Sequence, residues 1–257
     1  MSATERNARA SADFDAKLSQ TRSLLQQTAM DYAPAAATDA PLVTHASSLG
    51  AEDVVISHLI NALSLEIPIF VLDTGALHPQ TIQLLDRTRQ QSRAPVKVFG
   101  PDLQALQQFV AHNGIDAIFN SVAQRKACCR FRKMEPLARA LDGKAAWITG
   151  LRREQSGARA QVQLIDTDDG ARVKINPLAY WTWGDVWHFI ATRQVPYNPL
   201  HDQFYPSIGC APCTRAISQG EDFRSGRWWW EDETAKECGL HVAASPGFEI
   251  RSEGESL

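Results

Sequence analysis

The chain has 257 residues, of which 44% are hydrophobic and 21% charged, with a formal net charge of −3. That length supports a full buried core in one large α/β domain or two small ones, and the acidic balance argues against non-specific nucleic-acid binding, which needs a basic face. No apolar run approaches the roughly 20 residues that span a bilayer, and residues 1–22 lack the apolar centre and cleavage site of a signal peptide, which predicts a cytoplasmic protein with no membrane partner.

In chain order, residues 1–40 read as a flexible start, one helix over 16–30 and a Pro/Ala-rich linker over 34–41. Apolar runs and helical patterns then alternate. Strands are predicted at 42–46, 67–72, 96–99 and 145–149, and helices at 51–65, 78–90, 103–112 and 134–141. That order predicts an α/β fold with a doubly wound, mostly parallel sheet. Residues 162–165 and 172–175 flank Asp166-Thr-Asp-Asp-Gly170 and read as a hairpin. A last helix is predicted over 182–193, with Trp183, Val186, Trp187 and Ile190 on one face; beyond it Pro, Gly and Trp abound and periodicity fades. The reading divides the chain into an N-terminal helix and linker (1–40), an α/β domain (41–217) and a C-terminal segment (218–257), whose end from 243 on reads as a mobile tail.

Five cysteines in a reducing compartment are read as ligands or catalysts before disulfides. Cys128 and Cys129 are adjacent, and Cys210 and Cys213 form a C-x-x-C in Gly209-Cys-Ala-Pro-Cys213. These four are a candidate metal set, since thiolates hold both iron–sulfur clusters and tetrahedral zinc. Two neighbouring ligands on one ion would strain the backbone, whereas a cluster offers each a different iron, so the pair favours iron–sulfur over zinc. Four buried free thiols acting as small apolar residues are the bland alternative. A redox C-x-x-C would leave Cys128 and Cys129 unexplained. Cys238, in Glu237-Cys-Gly-Leu-His241, is left over. An isolated cysteine is normally inert, but this one lies in a polar, glycine-containing segment near a chain end, where it can be exposed, with His241 near enough to favour the thiolate.

Anion-binding features recur. Ser47-Ser-Leu-Gly-Ala-Glu-Asp53 joins a strand to a helix and could offer Ser47, Ser48 and a helix N-terminus to an anion; an ordinary capped helix start is the plainer reading. It lacks the ending of a Walker A loop. Asp73 and Thr74 end the second strand in Val71-Leu-Asp-Thr-Gly75, where open parallel sheets bind ligands; they could equally cap the next helix. Basic residues cluster in loops: Arg132 with Lys133, Arg152 with Arg153, and Arg224 with Arg227. Most single arginines are solvated surface, but this clustering in an acidic chain points to a small anionic substrate such as a phosphate or sulfate.

Taken together and in order, these motifs resemble the bacterial adenylylsulfate (APS) reductases of the APS/PAPS reductase family. The resemblance runs from Ser47 to His241 and includes Cys-Cys-x-x-x-Lys133, Thr149-Gly-Leu-Arg-Arg-Glu-Gln-Ser156, Gly209-Cys-x-x-Cys-Thr-Arg215 and Arg224-x-Gly-Arg-Trp-Trp-Trp-Glu231. It implies an ATP-pyrophosphatase-like fold (adenine nucleotide alpha hydrolase) with a modified pyrophosphate loop at Ser47. It implies a 4Fe-4S cluster on Cys128, Cys129, Cys210 and Cys213, and Cys238 as nucleophile. Lys133 would lie between cluster and substrate, and Arg152, Arg224 and Arg227 are candidates for a phosphosulfate clamp. The implied reaction reduces APS to sulfite and AMP through a cysteine S-sulfonate, in sulfate assimilation and cysteine biosynthesis. The electron donor would be a separate thioredoxin or glutaredoxin, and a homo-oligomer stays open. Two alternatives are a PAPS-using reductase, disfavoured by the four cysteines, and an iron–sulfur tRNA thiolation enzyme, disfavoured by the Ser47 loop.

Overall fold

The computed structural model describes residues 1–34, 40–114, 116–167 and 172–231. Its strands are β1 (Val43–Ser47), β2 (Ile69–Leu72), β3 (Val96–Phe99), β4 (Ala146–Ile148), β5 (Ile165–Thr167) and β6 (Val173–Ile175). They form one sheet in the order β3-β2-β1-β4-β6-β5. All neighbours are parallel except β5, which pairs antiparallel with β6 at the edge. The predicted hairpin is thus a short edge excursion, and residues 168–171 of its turn lie outside the described residues. The doubly wound, mostly parallel sheet is the one expected.

The helices are α1 (Ala3–Asn7), α2 (Phe14–Asp31), α3 (Ala51–Ala62), α4 (Pro79–Gln91), α5 (Leu103–Asn113), α6 (Val122–Cys129), α7 (Glu135–Ala140) and α8 (Trp183–Arg193). Strand side chains alternate between faces. In β2, Ile69 and Val71 join the core under α2, α3 and α8, with Leu25, Val55, Ile60, Val186 and Trp187. Phe70 turns the other way, toward Trp147, Leu137 and Ala140 under α7. The central strands are covered on both faces, which is why they read as near-continuous apolar runs.

Two parts depart from expectation. The chain start is not loose. Helix α1 has a full Ser2–Glu5 capping box and buries Ala3, and Arg6 donates to the His201 carbonyl at 2.7 Å. Between α5 and α7, where no element is predicted, α6 starts at Ser121, whose hydroxyl accepts from Gln124 N–H. It runs through a π-helical turn, Arg130–Met134, into α7. Ser121-x-x-Gln124 is a readable helix-start signature. No helix among the described residues is long and apolar enough to cross a membrane.

The N-terminal segment is held to α8 through Asp185, which accepts from Ser11 N–H (2.7 Å), the Ser11 hydroxyl, Lys17 Nζ (3.2 Å) and Thr182 N–H (2.9 Å). Burial alone would raise this carboxyl, but the donors outweigh it and hold the pKa at about 2, below the ordinary 3.8. A depressed carboxylate stabilises the fold above its unfolded pKa and loses that contribution as pH falls through the folded one. We therefore expect about 2 kcal/mol of stability to disappear between pH 4 and 2. Asp185→Asn should flatten that part of the stability–pH curve in denaturant titrations; an unchanged acid limb would refute the assignment.

Candidate functional site

One cavity opens at the carboxyl edge of the sheet, beyond β1, β2 and β4, where open parallel sheets place ligands. Its lining includes Ala46, Phe70, Leu72, Leu137 and Trp147, one apolar cluster with the aromatic surface on which a planar ring can rest. Four cations line the same cavity: Lys133, Arg159, Arg224 and Arg227.

The β1–α3 loop shapes one wall, with Ser47 and Ser48 lining it. Asp53 closes the loop by accepting from Ser48 N–H at 2.7 Å and from the Ser48 hydroxyl at 2.6 Å. Ser47 Oγ accepts from Leu49 N–H at 3.2 Å. Leu49 is buried at φ 59°, a left-handed conformation that costs a leucine about 1–2 kcal/mol and marks a site held by its surroundings. Glu52 and Asp53 place two carboxylates in the first turn of α3. Burial pushes the Asp53 carboxyl up and the neighbouring His45 imidazole down. Much of the donor capacity expected of this loop is therefore spent internally. The positive charge for an anion comes from side chains on other elements.

Three of the four cations come from the π-helical turn and the loop after Cys213, and Arg159 from the 3₁₀ turn Gly157–Arg159. A π-helical turn shifts the phase of the helix beyond it, and Lys133 inside it reaches the cavity. Arg227 is buried, with its guanidinium 4.7 Å from the centre of the Trp228 ring. Trp228 itself is at φ 44° and its N–H donates to the Cys213 carbonyl at 3.2 Å. Arg224 lines the same cavity.

Two of the residues predicted to bind substrate do not line the cavity. Asp73 turns back on its own backbone, accepting from Gly75 N–H at 2.9 Å, while its neighbour Thr74 does line it. Arg152 is fully buried. It pairs with Glu52 at 2.9 Å and Glu154 at 3.1 Å and donates to the Trp181 carbonyl at 3.2 Å. It braces the cavity wall from behind. Arg159 stands at the cavity instead. Sequence reasoning passed over it, although it lies three residues past Ser156 in the same motif.

Cys128 and Cys129 close α6, and Cys210 and Cys213 bracket a 3₁₀ turn, Ala211–Cys213. All four are free thiols and share one apolar cluster with Ile118 and Trp228. Cys210 also lines the cavity. Burial, with the nearby Cys210 and Cys128, pushes the Cys213 thiol up to about 11, against the pull of Lys133 and Arg227. Burial likewise raises Cys128, against the pull of Arg132. Arg125 donates to Cys129. Among the described residues, no three His, Cys, Asp or Glu side chains close on a single metal-ion position. The donor set nonetheless fits a polynuclear iron–sulfur group. Such a group takes one thiolate per iron, and its positive charge relieves the mutual repulsion of four gathered thiolates. Cys238 lies outside the described residues.

The phosphoadenosine phosphosulfate reductase domain model matches residues 43–216. The adenosine 5'-phosphosulfate reductase of Allochromatium vinosum is 50% identical over 200 residues, covering 77% of this chain and 78% of that protein. Its counterpart from Burkholderia cepacia is 49% identical over 201 residues, covering 78% and 80%. In structure, the phosphoadenylyl-sulfate reductase of Candida auris aligns at a TM-score of 0.63 with 22% identity, over 81% of this chain and 98% of that one. Yeast FAD synthetase aligns at 0.55 with 14% identity, over 83% and 73%. The two structural likenesses carry the fold alone, and the match over 43–216 settles the family: this chain belongs to the phosphoadenosine phosphosulfate reductase domain family.

Proposed function

We propose that this chain reduces adenosine 5'-phosphosulfate to sulfite and AMP, with an electron pair from reduced thioredoxin or glutaredoxin. The observation behind this reading is the cavity itself: one lining that combines apolar and aromatic side chains, four cations, and the four-cysteine group opening on it through Cys210.

In this reading the adenine lies against Phe70, Leu72 and Trp147, and Lys133, Arg159, Arg224 and Arg227 neutralise the phosphosulfate. Cys128, Cys129, Cys210 and Cys213 would hold a 4Fe-4S cluster, whose core would take one thiolate per iron and give the four side chains a rigid mount beside the cavity. The Cys238 thiolate attacks the sulfate sulfur. A sulfur–sulfur bond forms as the bond from sulfur to the phosphate oxygen breaks, and AMP leaves with that electron pair. Cys238 then carries a sulfonate. A donor thiolate attacks Cys238 Sγ, sulfite leaves with the bonding pair, and the donor's second thiolate resolves the mixed disulfide. The donor ends oxidised and Cys238 returns as thiolate.

The test is one assay on anaerobically purified protein of measured iron and sulfide content: APS and PAPS side by side, each with reduced thioredoxin. We expect brown, iron-containing protein and sulfite from APS in strong preference to PAPS. Colourless protein with stoichiometric zinc would overturn the cluster. Preference for PAPS would overturn the substrate, and no sulfite from either would overturn the reaction.

A further inference from the structure

The Trp228-Trp-Trp-Glu231 end of its motif has no place in the chemistry above, yet its last residue is held in a buried two-point ion pair. Arg125, on α6, meets Glu231 through two bonds, Nε to Oε1 at 2.9 Å and Nη2 to Oε2 at 2.6 Å. The two side chains are 1% and 3% exposed. The Arg125 guanidinium also lies 4.6 Å from the centre of the Trp228 ring, and it donates to Cys129. One buried arginine thus ties three things together: the cysteine pair, the aromatic run and the carboxylate that ends it.

A buried ion pair is a poor way to add stability, because desolvation offsets much of its attraction. What a bidentate pair provides is direction, since its planar fork fixes the partner in angle as well as distance. Glu231 stands seven residues before Cys238, a tether of at most about 24 Å. Trp228, three residues before Glu231, lines the cavity.

We propose that the Arg125–Glu231 pair is a positioning device for the covalent step: it anchors Glu231, seven residues before Cys238 in sequence, on the arginine that also lies against the cavity-lining Trp228. This rests on the proposed sulfonate chemistry at Cys238. Neither Arg125 nor Glu231 lines the cavity, so the pair acts on the approach of the nucleophile and not on nucleotide affinity.

The experiment uses full-length, iron-loaded Glu231→Gln, because Glu231 leaves the Arg125 contact to Cys129 in place. Three quantities are read: iron content, AMP affinity, and the single-turnover rate of sulfonate formation on Cys238 from APS without donor, followed by mass spectrometry. We expect iron content and AMP affinity to match wild type and sulfonate formation to slow roughly tenfold to a hundredfold, the scale on which distant misplacement affects a positioned reaction. An unchanged rate, or a rate that falls only in step with iron or AMP binding, overturns the proposal.

Glu231→Gln leaves Arg125 without its charge partner and could unfold the region. The double variant Arg125→Met/Glu231→Met therefore serves as a second arm, since apolar replacement of a buried pair tends to restore stability. It should melt near wild type yet keep a slow covalent step. Recovery of the rate along with the melting temperature would show a purely structural role and sink the idea. Wild type that forms no sulfonate on Cys238 would defeat the proposed reaction, and this inference with it. Wild type that forms it only as fast as Glu231→Gln defeats this inference alone.

Discussion

Cys238→Ser should abolish sulfite release from APS, by on the order of 10⁴-fold or more, the scale seen when a covalent nucleophile is removed. Iron content and AMP affinity should not change. The physical basis is ionisation: a cysteine is partly thiolate near neutral pH and intrinsically nucleophilic, whereas a serine hydroxyl without a dedicated base is neither. The four other cysteines share one apolar cluster, and as ligands of the proposed iron–sulfur group their thiolates are committed to iron. They are poor substitutes as free nucleophiles. Sulfite release and the mass of the Cys238 peptide after APS treatment check this together. Retained turnover in the serine variant would remove Cys238 from the mechanism.

Arg152→Met should cost about 3–5 kcal/mol of stability, because it leaves a buried carboxylate without its partner. Glu52 is 8% exposed, and its Oε1 accepts from Arg152 Nε at 2.9 Å and Gln155 Nε2 at 3.0 Å. Adding Glu52→Gln should restore more than half of the loss, since the stranded charge is then gone. Denaturant unfolding of the three proteins measures both quantities. The same series separates two roles for Arg152. A wall brace shifts the unfolding midpoint, and Glu52→Gln rescues it. A phosphosulfate clamp would instead weaken nucleotide affinity with little change in stability, and that outcome would refute the brace.

Strands and long helices were legible because their signals are local. Val43, Ile69 and Val71 sit in apolar runs, and Val186, Trp187 and Ile190 recur at helical spacing, so β1, β2 and α8 fall within two residues of expectation. Helix α6 was not legible by periodicity. Its one buried residue is Arg125, which looks like surface in a sequence and becomes interior only because Glu231 arrives from 106 positions away. The same blindness decided the arginines. Arg152 and Arg159 differ little as letters; the first is withdrawn by Glu52, 100 residues upstream, and the second is left at the cavity. The four cysteines share one cluster; adjacency and C-x-x-C are legible within each pair, while the meeting of the two pairs is set by the fold. The cations that surround them are set by the tertiary fold.

The π-helical turn at Arg130–Met134 works as a phase shifter in one continuous rod. An α-helix advances about 100° per residue, so a single extra residue in one turn rotates everything before it against everything after it by that angle. Past the turn, α7 can keep Leu137 and Ala140 seated on Phe70 and Trp147, while before it Cys128 and Cys129 face Cys210 and Cys213. One rod thereby meets two separate cores at two bearings. The angular offset between the cysteine pair and the sheet is written in chain length, one residue of it, and no side-chain substitution in that turn could supply the same rotation.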